Sequence, residues 1–487
     1  MKKKEKPQDT FVNDAFLAEL FERLLDLREK MRDGIEQKIS DDSLLNMKQY
    51  LNLRKYDFSH LQDDLTKVGL SSFGRSQAHI EASVDVALKM LSHALGHDLA
   101  LSEPHLSYEE SHAIMDKKAT IFSSSSDKTK IMITVPSDYN EVEDWFGSLC
   151  DEGVHLFRIN TAHDDVEAWA DMAREIKEVK NAAPKIYVDL AGPKIRTVLD
   201  KSKKDEKIRV FYGDKILIKA AASEKIKAKK GRYKAVIGCT LERLGSITKV
   251  GDAVFVDDGK IELMVEEING EDIVCVVMSK DEKGSKIKDE KGINFPNSDI
   301  SIKAISVRDK EILSHICEYA DIIGISFAQS ADDIYELIGE LDALDKCGEV
   351  GIVAKIETKK GLKNLPSILE ALINYGNSGI MIARGDLAIE IGFENLATMQ
   401  QEILDLCAAA HMPVILATQV LESKMKTNIP SRAEISDVAF AHKAECVMLN
   451  KGLYTLETVK ILKTIFSQMD LVFRKNKLLY NTNFEWK

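Results

Sequence analysis

The spacing of apolar residues changes once along the chain, near residue 130. Before that point, apolar residues recur three and four positions apart, as they do along one side of a helix. The segment Phe11–Arg32 carries such a stripe, and a second helix is predicted over Ser76–Leu95 after a glycine-bounded turn. The serine-rich segment Ile121–Lys128 predicts a connector. We therefore expect a helical N-terminal region over residues 1–118 and a linker over residues 119–129.

From Lys130 onward, short β-rich runs alternate with amphipathic helical segments. The predicted strands are Lys130–Val135, Val154–Ile159, Lys185–Leu190, Ala320–Ser326, Ile352–Ile356, Gly379–Ala383, Pro413–Ala417 and Glu445–Leu449. Because eight strands that alternate with helices close into a parallel barrel, the pattern predicts an α/β protein with a (β/α)8 TIM barrel. The barrel is expected to comprise residues 130–197 and 295–475, followed by a C-terminal tail over residues 476–487.

The barrel pattern is interrupted between the third and fourth predicted strands. Residues 198–294 carry short alternating strands separated by glycine turns, and the VDDG sequence at Val256–Gly259 is a strong hairpin signal. We therefore expect residues 198–294 to form an inserted antiparallel β domain.

Composition and charge exclude several classes of protein. The net charge of −12 argues against nucleic acid as the main partner, since phosphate neutralisation needs clustered Lys and Arg. We expect no membrane span, because no apolar run approaches the ~18–20 residues that cross a bilayer. We expect no secretory signal, because the basic start MKKKEKPQDT is followed by neither an apolar core nor a small-residue cleavage site. The seven cysteines lack the spacing of a zinc site or a disulfide framework, so we expect a cytoplasmic protein with reduced thiols. The pair His93 and His97 could hold a metal, but no third ligand type accompanies it on the same helix face.

Polar and charged residues follow most of the predicted barrel strands. They are Arg158, Asn160, Asp189, Lys194, Arg196, Lys355, Glu357, Arg384, Asp386, Thr418, Gln419 and Asn450. The active site of such a barrel lies at the carboxyl ends of its strands, so these side chains are expected to meet at one mouth.

The tripeptide Lys355–Glu357 suggests what the site does. Strand alternation puts Lys355 and Glu357 on the same side, where a buried charge needs a partner or a metal. Glu357 and Asp386 make a plausible two-carboxylate Mg²⁺ seat, and Lys355, Arg158 and Arg196 would surround a transferring phosphoryl group with positive charge. The alternative is a structural ion-pair network under the barrel rim. At the start of the next helix, Gly385 allows the backbone to approach a carboxylate or phosphate, with the hydroxyl of Thr418 nearby.

Seven runs of the sequence, in order, resemble pyruvate kinases. They are RINTAH (Arg158–His163), VDLAGPKIRT (Val188–Thr197), FVDDG (Phe255–Gly259), KGINFP (Lys291–Pro296), VAKIET (Val353–Thr358), GIMIARGDLAIEI (Gly379–Ile391) and ILATQVLESKMKTNIPSRAEISDVA (Ile415–Ala439). The resemblance covers the barrel and the inserted domain. It implies transfer of the phosphoryl group of phosphoenolpyruvate to ADP, which yields pyruvate and ATP.

The resemblance also implies a role for each matching residue. Glu357 and Asp386 would hold Mg²⁺ or Mn²⁺, Lys355 would stabilise the phosphoryl group, and Arg158 and Arg196 would contact phosphates. The Gly385–Asp386 backbone and Thr418 would bind the substrate carboxylate, and the nucleotide would lie near Pro136, Asn160, His163 and Arg196. The inserted domain would close over the site and exclude water.

The sequence departs from the family at the site where many members bind K⁺. Asn160 and Asp189 are present, but Ala162 replaces a serine, Leu190 a threonine and Lys194 a glutamate. Members that work without a monovalent cation carry Leu and Lys at the last two positions. We therefore expect K⁺-independent catalysis in which the Lys194 ammonium replaces the cation.

The sequence also departs from the family after the eighth strand and near its C-terminal end. The stretch Met448–Val459 has Asn450 in place of a serine and lacks much of a loop on the side of enolate protonation. The family's C-terminal domain, which carries effector sites, is expected to be absent. A homodimer through the barrel is expected from the retained Pro430–Asp437 segment.

Three hypotheses follow for the function. The first is an active, K⁺-independent pyruvate kinase without the usual allosteric domain. The second is a barrel phosphotransferase with a different acceptor or impaired enolate protonation. The third is a catalytically silent relative that binds a nucleotide or a protein. The charged cluster favours an enzyme, because a silent protein has no reason to keep costly buried charges.

Overall fold

The computed structural model describes residues 13–36, 39–101, 105–180, 182–199, 207–220, 232–298, 300 and 302–472. These residues form two compact units. The first unit contains the described residues of 1–120 and 464–485 together with residues 402–413. The second contains those of 121–401 and 414–463. The predicted tail over residues 476–487 lies outside the described residues.

The N-terminal part of the first unit is helical, as the apolar spacing predicts. Its helices are α1 (Asp14–Arg32), α2 (Asp42–Leu53), α3 (Ser59–Lys67), α4 (Ile80–Ala94) and α5 (Tyr108–Ala119). Helix α1 begins after Asn13, whose side chain accepts a hydrogen bond from the Phe16 N–H at 2.9 Å, and its apolar stripe buries Leu20 and Leu24 completely. The predicted helix over 76–95 is α4, preceded by a single 3₁₀ turn at Gln77–His79.

Arg54 and His411 are buried polar side chains of the first unit that form hydrogen bonds. Arg54 donates to both carboxylate oxygens of Glu402 at 2.8 and 3.0 Å. The buried His411 ring contacts the Ser43 hydroxyl through Nδ1 at 3.1 Å and the Ala78 carbonyl through Nε2 at 2.8 Å. Burial lowers the pKa of His411 to about 4, and burial likewise lowers the pKa of His79 to about 4. Both histidines are therefore neutral at physiological pH.

The second unit begins with a connector that contains no helix or strand over residues 121–129. The chain then forms β1 (Lys130–Thr134), α6 (Trp145–Asp151), β2 (Leu156–Asn160), α7 (Val166–Glu178) and β3 (Lys185–Asp189). Each strand pairs in parallel with the preceding one.

The chain then leaves the barrel and forms the inserted domain. Its elements are β4 (Thr197–Val198), β5 (Ile208–Val210), β6 (Lys215–Lys219), β7 (Ala235–Cys239), α8 (Leu244–Ile247), β8 (Ala253–Val256), β9 (Ile261–Asn269), β10 (Asp272–Val277), β11 (Ser285–Ile287) and β12 (Ile293–Asn294). One sheet has the order β12-β8-β9-β10-β6-β7-β4, and its pairs are antiparallel except β6 with β7. Asp257 and Asp258, with φ of 56° and 55°, turn the chain between β8 and β9, so the predicted VDDG hairpin is confirmed.

The remaining described part of the chain completes the barrel. Its elements are α9 (Val307–Ile316), β13 (Ile322–Ile325), α10 (Ala331–Ala343), β14 (Gly351–Ile356), α11 (Lys359–Lys363), α12 (Leu365–Tyr375), β15 (Ser378–Ala383), α13 (Arg384–Ile391), α14 (Leu396–Ala409), β16 (Val414–Ala417), α15 (Glu422–Thr427), α16 (Arg432–Ala441), β17 (Cys446–Leu449) and α17 (Thr455–Val472). The barrel closes in the order β1-β17-β16-β15-β14-β13-β3-β2 with every pair parallel. The predicted TIM barrel with an inserted β domain is confirmed.

Two features of the composition can be compared with the structure. All seven cysteines are reduced thiols, and only Cys347 is exposed. Among the described helices, none is both long and apolar enough to cross a bilayer.

Candidate active site

The barrel interior changes from apolar to charged towards the carboxyl ends of its strands. The apolar layer includes Met132, Leu156, Tyr187, Ile322, Val353, Met381, Ile415 and Cys446. Strand alternation places every second residue on the same side, so Thr134, Arg158, Asp189 and Lys355 form the next interior layer. The sequence pattern of each strand therefore brings four polar residues to the barrel mouth.

Asp189, at the end of β3, is the anionic centre of this layer and is only 1% exposed. Arg158 donates to Asp189 Oδ2 through both Nε, at 2.9 Å, and Nη2, and it donates to the Thr134 hydroxyl through Nη1 at 3.1 Å. Lys355 Nζ lies 3.1 Å from Oδ1 and 3.2 Å from Oδ2 of Asp189. Burial alone would raise the pKa of Asp189, but the charges of Lys355 and Arg158 outweigh it and leave that pKa lowered. Asp189 is therefore ionised and holds two cations in place.

Lys355 and Glu357 lie on the same side of the chain at the end of β14, as alternation predicts. Lys355 Nζ is 3.3 Å from Glu357 Oε1 and donates to the Ser326 hydroxyl at 2.8 Å. Burial would lower the pKa of Lys355, but the carboxylates of Asp189 and Glu357 leave it raised. Glu357 Oε2 accepts a 2.7 Å hydrogen bond from the Phe327 N–H. Lys355 is thus a buried, permanently charged ammonium in a fixed position.

Asp386 lies in the first turn of α13, just after β15. Lys194 Nζ is 3.1 Å from each of its carboxylate oxygens, and Asn294 donates to Oδ1 at 3.4 Å. Burial raises the pKa of Glu357, and the neighbouring charge of Asp386 adds to this effect although Lys355 opposes it. The two carboxylates of the predicted metal seat are therefore close enough to repel each other.

The turn between β15 and α13 is fixed by contacts to the end of β16. Arg384 donates to the Ala417 and Thr418 carbonyls at 3.2 and 2.6 Å and to Asp437 at 2.6 Å. The Gly385 N–H donates to the Thr418 hydroxyl at 3.1 Å. Thr418 has a φ of 68°, which is unusual for a β-branched residue and stores backbone strain at this point. The structure thus brings Gly385, Asp386 and Thr418 together.

The loop after β2 contains the residues predicted for the nucleotide side. Asn160 accepts a hydrogen bond from the Ala162 N–H at 3.1 Å, and the His163 carbonyl accepts one from the Trp169 indole at 2.7 Å. Burial lowers the pKa of His163, and the positive charge of Lys451 lowers it further. His163 is therefore a neutral ring on a cationic side of the mouth. Pro136 lies in the adjacent loop after β1.

Arg196 lies where the chain enters the inserted domain. Its N–H donates to the Thr240 hydroxyl, and its Nη1 donates to the Glu290 carbonyl, each at 3.0 Å. These contacts hold Arg196 at the base of the inserted domain. They do not bring its guanidinium into contact with the Asp189 cluster.

Lys194 was expected to replace a cation beside Asn160 and Asp189, but in the structure it contacts a different carboxylate. Its ammonium contacts Asp386, at the metal seat, whereas Asp189 is paired with Arg158 and Lys355. Sequence reasoning missed three further residues, Thr134, Ser326 and Asn294, which contact Arg158, Lys355 and Asp386 respectively. Strand alternation points to Thr134 and Ser326, but no local pattern identifies Asn294.

The residues at the predicted metal seat are chemically suited to a hard divalent cation. Glu357 and Asp386 offer only carboxylate oxygens, and their mutual repulsion would be relieved by a cation. The described part of the chain contains no group of three or more His, Cys, Asp or Glu residues arranged for metal binding. His93 and His97 therefore belong to no such group. A two-carboxylate site leaves coordination positions for water and substrate oxygens, as Mg²⁺ prefers.

A cavity of about 440 Å³ lies beside the seat, at the base of the inserted domain. Lys194, Asn294, Phe327 and Thr358 are among its lining residues, together with Glu390. Burial raises the pKa of Glu390 to about 7. The cavity shares Lys194 and Asn294 with the surroundings of Asp386.

Comparison with known proteins identifies the family of the barrel. Residues 126–459 match the family model described as the pyruvate kinase barrel domain. The chain is 32% identical to a pyruvate kinase of Thermotoga maritima over 362 aligned residues. This alignment covers 70% of this chain and 71% of that protein. It is also 33% identical over 350 residues to the pyruvate kinase of Encephalitozoon cuniculi, covering 69% of this chain and 74% of that protein. Because the family model matches more than half of the chain and these relatives share 32% and 33% identity with it, this chain belongs to the pyruvate kinase family.

Proposed function

We propose that this protein transfers the phosphoryl group of phosphoenolpyruvate to ADP, with Mg²⁺ or Mn²⁺ as cofactor, and releases pyruvate and ATP. The observation that carries the proposal is the buried cluster of Arg158, Asp189, Lys355 and Glu357 beside Asp386. Such a cluster is costly for folding alone, because each buried charge must be desolvated. A phosphoryl-transfer enzyme uses the same charges to stabilise its transition state.

In this proposal Glu357 and Asp386 hold the divalent metal. The metal would supply positive charge to the substrate oxygens and the transferring phosphoryl group. The role of the protein is to orient the two carboxylates, and the Phe327 N–H fixes one oxygen of Glu357 for this purpose.

Lys355 and Arg158 stabilise the phosphoryl group during transfer. Both cations are held by Asp189, which fixes their positions before the substrate arrives. Preorganised charges stabilise a transition state without reorganisation at the moment of reaction. Asp189 is therefore a positioning residue, and Thr134 and Ser326 support it by accepting hydrogen bonds from the same two cations.

The substrate carboxylate binds to the Gly385–Asp386 backbone and to Thr418. The N–H groups in the first turn of α13 favour an anion, and Gly385 has no side chain to block it. Arg384 stabilises this turn through its contacts with β16 and Asp437. The geometry thus favours a carboxylate next to the metal.

The nucleotide binds on the side of Pro136, Asn160, His163 and Arg196. Arg196 is attached to the inserted domain through Glu290, so closure of that domain would carry its guanidinium towards the phosphates. Closure also excludes water, which directs the phosphoryl group to ADP and prevents hydrolysis.

We further propose that catalysis does not require K⁺. Asp189, which would otherwise help to bind the cation, is already neutralised by Lys355 and Arg158. Ala162 and Leu190 lack the hydroxyl ligands, and Lys194 supplies a fixed positive charge near the metal seat. Turnover in tetramethylammonium buffer with and without KCl tests this point, and strong dependence on KCl would contradict it.

The same proposal includes a homodimer through the barrel around Pro430–Asp437 and a cytoplasmic location. Sedimentation of the full chain tests the dimer. A single species with the mass of one chain would exclude it.

A coupled assay tests the central proposal. Phosphoenolpyruvate, ADP and Mg²⁺ are mixed with the protein, and lactate dehydrogenase with NADH reports the release of pyruvate. Lys355→Met is expected to reduce kcat by at least ~10³-fold because it removes a preorganised charge from the transition state. Lys346→Met, a change before β14 at the opposite end of the barrel, is the control and should leave kcat unchanged. Equal rates for wild type and Lys355→Met would refute the proposal, and ATP formation without pyruvate would indicate impaired enolate protonation.

A further inference from the structure

The cavity of about 440 Å³ at the base of the inserted domain touches both connections between that domain and the barrel. Residues 193–195 lead from the barrel into the inserted domain, residues 293–298 lead back, and both segments line the cavity. The Ile293 N–H donates to the Ile195 carbonyl at 2.9 Å, so the two connections are hydrogen-bonded to each other at this point. The rest of the wall includes the residues after β13, the helix α11 and one residue of α13. A ligand in this cavity would therefore contact the hinge of the inserted domain and the barrel at once.

The cavity is separate from the charged cluster at the barrel mouth. The residues assigned above to the metal, the transferring phosphoryl group and the substrate carboxylate are not among its described lining residues. Lys194 and Asn294 mark the boundary, since both line the cavity and both contact Asp386. The proposed function therefore assigns no ligand to this cavity.

Positive charge exceeds negative charge along the cavity wall. Three lysines of α11 are among the lining residues, namely Lys359, Lys360 and Lys363. Glu390 is the one acidic residue among the described lining residues, and burial raises its pKa to about 7. Its carboxylate accepts hydrogen bonds from the Lys359 N–H and from the Asn294 side chain. The wall is therefore suited to an anion near neutral pH.

Much of the remaining lining is apolar and held in place by the fold. Ile293 and Phe295 line the cavity and belong to the buried core of the inserted domain. Phe327 lines it from the barrel, and its N–H donates to Glu357 Oε2 at 2.7 Å, which fixes the backbone there. An apolar wall with a few charged groups is typical of a pocket for a small organic ligand.

We propose that this cavity binds a small organic anion, with an apolar body against Phe295 and Phe327 and a phosphate or carboxylate group on the lysines of α11. The volume of about 440 Å³ lies within the ~300–1,000 Å³ of ordinary ligand pockets. A lysine ammonium is a mobile point charge that suits either anionic group. Because the ligand contacts both connections of the inserted domain, it restricts the hinge on which that domain moves. The inference is independent of the proposed function, which places phosphoenolpyruvate and ADP elsewhere.

Isothermal titration of the full chain at pH 7 tests the inference with four probes. They are 1-naphthyl phosphate, 1-naphthoate, inorganic phosphate and the uncharged 1-naphthalenemethanol. At least one of the two aromatic anions should bind about 10-fold more tightly than inorganic phosphate and the alcohol, because burial of the ring and the charge both contribute. The relative affinities of the two aromatic anions separate a phosphate ligand from a carboxylate ligand. Absence of binding by both would overturn the inference.

Variants of the cavity wall give changes of opposite sign. The double variant Lys359→Met/Lys363→Met should weaken binding of the tighter aromatic anion at least about 10-fold, because charge-assisted hydrogen bonds are lost. Glu390→Gln removes the one carboxylate and should tighten the same probe roughly 3-fold, a gain that misfolding does not produce. Lys346→Met is the matched control for loss of a lysine outside the cavity and should bind as wild type does. Unchanged affinity in the double variant would overturn the inference.

Two further measurements place the bound probe. Lys355→Met should bind it as wild type does, and amide hydrogen exchange over residues 293–298 should slow when the probe is bound. Loss of binding in Lys355→Met with normal binding in the double variant would overturn the inference, since the probe would then occupy the catalytic cluster. Unchanged exchange over residues 293–298 would overturn it as well. If wild type fails to turn over phosphoenolpyruvate, the proposed function is rejected, whereas the expected probe binding still supports this site.

Discussion

Lys194→Met should tighten the binding of a divalent metal in the absence of substrate. The Lys194 ammonium lies 3.1 Å from both oxygens of Asp386, one of the two proposed metal ligands. A metal that binds to Asp386 must displace this ammonium or share the carboxylate with it. Lys194 therefore acts as an internal competitor of the metal.

The distances set the size of the expected effect. Two unit charges about 3.1 Å apart attract each other by roughly 5 kcal/mol at an effective dielectric constant near 20. The Lys194 and Asp386 side chains retain 23% and 14% of their exposure, so water weakens this attraction. If about 1.4 to 2.7 kcal/mol of the attraction between Lys194 and Asp386 must be overcome when the metal binds, Lys194→Met should bind the metal roughly 10- to 100-fold more tightly.

Electron paramagnetic resonance of free Mn²⁺ measures this affinity directly. Lys194→Arg is the matched control, because it keeps the charge and should keep the affinity near that of wild type. Equal or weaker Mn²⁺ binding by Lys194→Met would refute the reasoning. The same variant tests the cation hypothesis, since loss of the fixed ammonium should lower turnover, and KCl should not restore it because Ala162 and Leu190 lack the hydroxyl ligands for K⁺.

Three further predictions concern the metal, the carboxylate turn and the buried histidines. Glu357→Gln should weaken Mn²⁺ binding at least ~100-fold, because one of two charged ligands is lost, and Mn²⁺ titration measures this; an unchanged affinity would exclude Glu357 as a ligand. Thr418→Val removes the acceptor of the Gly385 N–H and should raise the KM for phosphoenolpyruvate about 10-fold, while the KM for ADP should stay unchanged. Thr418→Ser keeps the hydroxyl and should behave as wild type in steady-state kinetics. The pKa of His411 is about 4 in the folded protein, below its unfolded value near 6.5, so its contribution to stability is complete above pH 6.5 and is lost as pH falls towards 4. From pH 7.5 to 5 this loss should be about 2 kcal/mol in the free energy of unfolding, measured by urea denaturation, and His411→Gln should abolish that part.

The barrel could be predicted from the sequence because its signals are local. A run of β-rich residues followed by an amphipathic helix recurs around the barrel, and each observed strand begins and ends within two residues of its predicted limits. Strand alternation also identified Lys355 and Glu357 as neighbours at the mouth, and the structure joins them at 3.3 Å. The inserted domain was predicted for the same reason, since its turns are marked by residues such as Asp257 and Asp258.

The partners of the charged residues depend on closure of the barrel, which no local pattern encodes. Lys194 and Asp386 are 192 residues apart and follow β3 and β15, which are not neighbours in the barrel. Sequence reasoning therefore gave Lys194 a place beside Asn160 and Asp189, whereas its contact is with Asp386. Asn294 reaches Asp386 from the inserted domain, again across a long stretch of sequence.

By itself the sequence determined the fold class, the order of the strands and the types of side chain at the mouth, because these follow from periodicity within short segments. Local patterns do not reveal that Asp189 neutralises both Arg158 and Lys355, or that Lys194 is paired with Asp386; these contacts follow from the tertiary structure. The physical reason is that electrostatic interactions act through space. Which charges attract or repel one another is fixed only when the barrel closes and brings distant strand ends within a few ångströms.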